Sequence, residues 1–120
     1  MEIKFKTKKL ERELSDPRKL VKSFGVLSKK INQRLKEIDS AATLEDLGKI
    51  RSANCHELEG KRKGEFALDV SGNFRLIFNP DHIPKPRKKD GGIDWKLVER
   101  IEIISYRRLS LKLNDHEEHN

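Results

Sequence analysis

Leu20, Phe24, Leu27, Ile31, Leu35 and Ile38 recur at steps of four, three, four, four and three. That spacing lines up one apolar face and predicts a helix over residues 17–38. Asp16 stands before it as an N-cap, and Pro17 suits the first helical position. Gly25 is a weak point inside this helix but does not end the pattern. The opposite face carries Lys19, Lys22, Lys29, Lys30, Arg34 and Lys36. Upstream, "EIKFK" alternates as a first strand, and Thr7 caps a short helical stretch, "TKKLEREL". Downstream, "ATLEDLGKI" reads as a short helix. Thr43 is its N-cap, Glu45 and Asp46 sit where the helix dipole favours anions, and Gly48 ends it.

The rest reads as strands. "CHELEG" approaches one, and "EFALDV" and "FRLIF" form a hairpin around Ser71-Gly72-Asn73. Phe66, Leu68 and Val70 point to one side, with Phe74, Leu76 and Phe78 as the matching row. Strand side chains alternate, so Arg75 and Ile77 face the other way. Residues 79–94 hold Pro80, Pro84, Pro86, Gly91 and Gly92 and form an unusually long loop. "VERIEIIS" is a last strand, and "YRRLSLKLNDHEEHN" is ambiguous. The expected architecture is α+β: a small antiparallel β-sheet packed against N-terminal helices, the other sheet face holding Arg75 and open to a ligand. Residues 1–113 form a single domain in this reading, and 114–120 a disordered tail.

Charge adds a partner to this outline. The 120 residues carry 27 Lys and Arg against 20 Asp and Glu, for a net +7. Twelve of those cations, against six acids, fall in residues 1–39. Such a balance points to a polyanion, of which nucleic acid is the usual one, or else to a basic surface without such a partner. The single cysteine, Cys55, excludes a disulfide framework. No apolar run approaches the ~20 residues needed to cross a bilayer. The N-terminus has no apolar signal core. A cytoplasmic protein without a membrane partner is expected.

The candidate chemistry lies between residues 56 and 75. Lys61, Arg62 and Lys63 sit between Gly60 and Gly64, which allow backbone to approach a phosphate closely; the alternative is a solvated loop. Arg75 is a permanently charged fork suited to phosphate, or to a structural ion pair. His56, at the start of a strand, carries the side chain best suited to moving protons near neutral pH, though a lone histidine is more often a packing residue. His82, His116 and His119 receive no role. No metal-ligand spacing, P-loop or Gly-x-Ser-x-Gly occurs, so no metal or other cofactor is expected. Metal-free RNA cleavage needs the 2′-hydroxyl deprotonated, cations around the phosphate oxygens and a proton for the leaving 5′-oxygen. His56 fits the proton transfer, and Lys61, Arg62, Lys63 and Arg75 the electrostatics.

"CHELEGKRKGEFALDVSGNFRLIF" resembles the central motif of RelE/ParE-superfamily toxins, closest to the HigB, or plasmid-maintenance killer protein, branch. The shared pattern is His-x-Leu-x-Gly, a basic segment, Lys-Gly, an aromatic, an alternating strand, then Asn-aromatic-Arg. It is strongest over residues 55–78, and the likeness extends over about the first 105. The resemblance implies the RelE-like fold and the toxin of a type II toxin–antitoxin pair. RelE and HigB relatives are mRNA interferases, ribosome-dependent endoribonucleases that inhibit translation without metal, whereas ParE relatives poison DNA gyrase. It implies a cognate HigA/RelB-like antitoxin, with ribosome and mRNA as the other partners. By motif position, His56 matches a histidine implicated in the HigB branch, Arg75 the arginine near the scissile phosphate, and Lys61, Arg62 and Lys63 the RNA-holding segment.

One departure stands out. HigB-like chains end, soon after the last strand, in a short Asp-Tyr-His segment that contributes to catalysis; here "IISYRRLSLKL" stands instead. Residues 106–112 admit codons that, read one base later, spell Ile-Glu-Asp-Tyr-His and a stop. A frameshift is thus one origin for this ending, and the gene's own codons decide it. The consequence is an attenuated or inactive toxin, or one in which Tyr106, Arg107 and Arg108 take over, Tyr106 and Arg107 at the reaction and Arg108 on the RNA; the alternative for these three is a basic, solvated tail. A gyrase inhibitor, or a non-catalytic homologue that only binds antitoxin or RNA, is the alternative.

Overall fold

The computed structural model describes residues 1–108. The expected tail at 114–120, His116, His119 and most of the unusual ending lie outside them. The order is β1 (Glu2–Phe5), α1 (Lys8–Ser15), α2 (Pro17–Phe24), α3 (Ser28–Ser40), α4 (Leu44–Gly48), β2 (His56–Glu57), β3 (Phe66–Ser71), β4 (Phe74–Pro80) and β5 (Arg100–Arg108). The strands form one sheet in the order β1-β5-β4-β3-β2.

The caps sit where the sequence puts them. Thr7 Oγ1 accepts from the Leu10 N–H, Asp16 Oδ1 from those of Arg18 and Lys19, and Thr43 Oγ1 from that of Asp46. The long helix does not survive intact. Gly25 takes φ +54°, which a side chain would resist, and a 3-10 turn over Gly25–Leu27 separates α2 from α3. Phe24 and Ile31 both stay buried across the break. The apolar periodicity therefore reads straight through a kink that it cannot reveal.

Arg34 corrects the picture of a uniformly cationic outer face. It is 2% exposed and lies on the same stripe of α3 as Ile31 and Ile38. Its guanidinium donates to Asp69 O at 2.6 Å, Glu37 Oε1 at 2.8 Å and Ser52 O at 2.9 Å. These bonds fasten α3 to β3 and to the 3-10 turn Arg51–Ala53.

The α+β class holds, with one departure in strand direction. The β2-β3-β4-β5 run is antiparallel, but β1 pairs parallel to β5, with Ile3 opposite Ile101 and Phe5 opposite Ile103. Strands joined by a tight hairpin must run antiparallel; β1 reaches β5 through the whole intervening chain and is under no such constraint.

The hairpin turns at Gly72-Asn73, and Ser71 opposes Phe74. Continued regularly, that register would set Val70 opposite Arg75. A bulge between Asp69 and Ser71 shifts it, so Asp69 opposes Arg75, Leu68 opposes Leu76 and Phe66 opposes Phe78. The bulge is what brings both apolar rows onto one face. There Phe66, Leu68, Phe74, Leu76 and Phe78 meet Leu14, Phe24, Ile31 and Ile38 of the helices.

Candidate functional site

The sheet face away from the helices carries two adjacent cross-strand rows. One runs Asp69, Arg75, Arg107 across β3, β4 and β5; the next runs His56, Ala67, Ile77, Ser105 across β2 to β5. Arg75 and Arg107 are thus direct neighbours. Two strand spacings of ~4.8 Å and a two-residue offset at ~3.3 Å per residue put the His56 and Arg75 Cα atoms roughly 12 Å apart. Side chains from both can reach a single phosphodiester between them.

This face is less bare than expected. Ala67 and Ile77 are fully buried and Arg75 is half-buried. Lys85, from the loop after β4, donates to Asn79 Oδ1 and to Gly64 O. The Arg75 Nε is buried without a hydrogen-bond partner. Among the described residues no carboxylate lies within 4.0 Å of either the Arg75 or the Arg107 guanidinium. Like charges directly opposite on neighbouring strands repel. An unpartnered buried donor carries a desolvation cost as well. An anion placed between the two guanidiniums would relieve both.

His56 is held in one orientation. Its Nδ1 is 2.8 Å from Asn54 O. A carbonyl can only accept, so Nδ1 carries a proton, and in the neutral ring Nε2 is the acceptor nitrogen.

The cationic loop is thinner than its three consecutive charges imply. Arg62 Nε donates to Glu65 Oε1 at 2.7 Å, whereas Lys61 and Lys63 are exposed. Gly60 is exposed, but Gly64 is not free to cradle a phosphate. Gly64, at φ +98°, is buried; its N–H donates to Glu57 Oε2 at 2.9 Å and its carbonyl accepts from Lys85. Its freedom serves packing of the loop.

Tyr106 and Arg108 lie on the helix side, away from Arg75 and Arg107. Tyr106 pairs with Leu76, stacks on Phe74 and meets Phe24 edge-on. Arg108 lies 5.3 Å over the Phe74 ring. Burial first, then the charge of Glu13 and a long 3.4 Å hydrogen bond to it, raise the Tyr106 hydroxyl above its ordinary pKa, with Arg108 opposing. Glu13 also lines a groove of about 300 Å³ with Lys9, Arg12, Lys19, Lys22 and Ser23. A roomier groove, about 610 Å³, lies beside α3 and α4 and includes none of the proposed site residues. Among the described residues no three His, Cys, Asp or Glu side chains converge to hold a metal ion, and no helix is long and apolar enough to cross a membrane.

Sequence reading missed Asn54, Asp69 and Ser105. Alternation alone put Asp69 off the apolar row, but its pairing with Arg75 depends on the bulge. Residues 3–82 match the HigB-like toxin family, described as the RelE-like toxin of the type II toxin–antitoxin system HigB. Similar solved structures include the YoeB-YefM complex from Staphylococcus aureus, with TM-score 0.53 at 19% identity, covering 92% of this chain and 98% of that one. The YoeB dimer from Staphylococcus aureus gives TM-score 0.50 at 20% identity, with the same coverage of each chain. At these identities the likeness is one of fold. No curated protein sequence matches the chain.

Proposed function

The chain belongs to the HigB-like family of RelE-like type II toxins, and from that premise we propose that it inhibits translation by cleaving mRNA on the ribosome. The observation that carries this reading is the Arg75–Arg107 pair, without a carboxylate partner and one row from an oriented His56. In the reaction, the 2′-oxygen attacks the adjacent phosphorus and the P–O5′ bond breaks, leaving a 2′,3′-cyclic phosphate and a 5′-hydroxyl. His56 Nε2 takes the 2′-hydroxyl proton, and the leaving 5′-oxygen takes one from solvent. Arg75 and Arg107 hold the non-bridging oxygens as charge develops on them. Lys61 and Lys63 contact neighbouring phosphates. Arg62 contributes less, because Glu65 already holds it. Tyr106 and Arg108 stand outside this reacting group, on the opposite face. The partner is a protein antitoxin, as membership of a family of type II toxin–antitoxin toxins implies; the YoeB of similar fold is likewise found in complex with a second protein, YefM.

The test is to map mRNA 5′ ends after brief expression, beside a plasmid supercoiling assay. New ends within translated codons are expected, and Arg75→Ala should lower cleavage about 10²–10³-fold with the fold intact. A fully active Arg75→Ala protein removes that residue from the site. Lost supercoiling without cuts would make the protein a gyrase inhibitor, and no effect in either assay a non-catalytic binder.

A further inference from the structure

Asn54 lies two residues before His56 and takes a left-handed conformation, φ 45° and ψ 52°, at the end of the 3-10 turn Arg51–Ala53. Among non-glycine residues, asparagine is one of the few that tolerate this region. The left-handed turn aims the Asn54 carbonyl at His56 Nδ1, 2.8 Å away. The Asn54 side chain points elsewhere: its Nδ2 donates to Asp69 Oδ2 at 3.1 Å. Asp69 is the residue opposite Arg75. The same turn is held from below, where buried Arg34 bonds both Ser52 O and Asp69 O.

We propose that Asn54 is a positioning residue: its turn fixes the tautomer and direction of His56, and its side chain locks that turn to Asp69, which stands opposite Arg75 in the strand register. The proposal rests on the reading of His56 as the proton-transfer group. Asn54 acts through His56 and need not touch RNA. The strand register sets the separation of His56 from Arg75; Asn54 sets which way the His56 ring faces across it. With the two Cα positions fixed by the sheet, the direction of the imidazole decides whether both side chains meet the same phosphodiester.

The test uses ¹⁵N NMR of the His56 ring in the full chain, assigned by comparison with His56→Gln, beside cleavage kinetics on programmed ribosomes. In wild type, His56 should be the Nδ1–H tautomer. Asn54→Gly keeps access to the left-handed region but loses the Asp69 contact; Asp69→Ala removes the same contact without touching the turn. Both should give a mixed-tautomer signal and lower kcat about ten- to a hundredfold with KM little changed. Asp69→Asn keeps an oxygen acceptor and should restore the wild-type tautomer. The proposal is overturned if wild type is not Nδ1–H. It is also overturned if either folded variant keeps the wild-type ring signal. Because the NMR arm needs no substrate, it stands or falls separately from RNA cleavage.

Discussion

Replacing Arg34 with alanine should be among the most damaging single changes in this protein. The guanidinium is 2% exposed and makes three hydrogen bonds, all at 2.9 Å or less. Its loss strands the carbonyls of Asp69 and Ser52 and leaves the Glu37 carboxylate, 21% exposed, without its cation. Hydrogen bonds to a charged group contribute about 1.5–3 kcal/mol each, but they are not additive when one side chain makes all three. Breaking a buried ion pair from one side costs about 3–5 kcal/mol, and we take about 4 kcal/mol here. That is a large share of the ~5–15 kcal/mol that holds a domain folded. With a urea m-value of about 2 kcal/mol/M, the unfolding midpoint should fall by about 2 M. Arg34→Lys keeps the charge but cannot reproduce the planar fork, so it should recover only part of the loss. Glu37→Gln should cost about 1 kcal/mol, since that acceptor is partly solvated. Urea titration followed by circular dichroism reads all three. A loss below about 1 kcal/mol for Arg34→Ala, at unchanged m, would refute the argument that this cation is a buried tie.

Two further outcomes follow from shifted groups. Burial pushes the Cys55 thiol from its ordinary 9.0 up to about 12, so at pH 8 the folded protein holds about a thousandfold less thiolate and should alkylate correspondingly more slowly than the unfolded chain. The unfolded chain loses this proton near pH 9 and the folded one near 12, so stability should decline as pH rises above about 9; urea midpoints at pH 8 and 10 check the sign. The only tyrosine is Tyr106, and its ultraviolet titration should centre above about 10, moving down in Glu13→Gln. Tyr106→Phe should change stability by less than about 1 kcal/mol, given the long bond to Glu13, and cleavage lost in that variant would return the phenol to the reaction.

Much of this was legible in the chain. Thr7, Asp16 and Thr43 cap helices because a short oxygen-bearing side chain next to a helical stretch satisfies nearby N–H groups, which is a local matter. The hairpin and the separation of Arg75 from its apolar neighbours followed from alternation, also local. Arg34 could have been found by the same logic, since it sits three residues after Ile31 and four before Ile38. Its charge suggested the surface, and only the carbonyls of Asp69 and Ser52, distant in sequence, explain its burial. The motif around His56 and Arg75 carried the family by itself, through side chains close along the chain.

Tertiary structure decided the rest because it turned on pairing between segments. The bulge at Asp69–Ser71 determines which residue faces Arg75, and no periodicity encodes an extra residue in a strand. The register of β5 put Arg107 beside Arg75 and sent Tyr106 and Arg108 to the opposite face, although the sequence reading grouped Tyr106 with Arg107 at the reaction and set Arg108 apart on the RNA. β1 chose a parallel neighbour because no hairpin constrained it. Sequence determined which residues could form each element and which families of chemistry they could serve. Packing determined which of them share a face, because a one-residue shift in strand register reverses every side chain it carries.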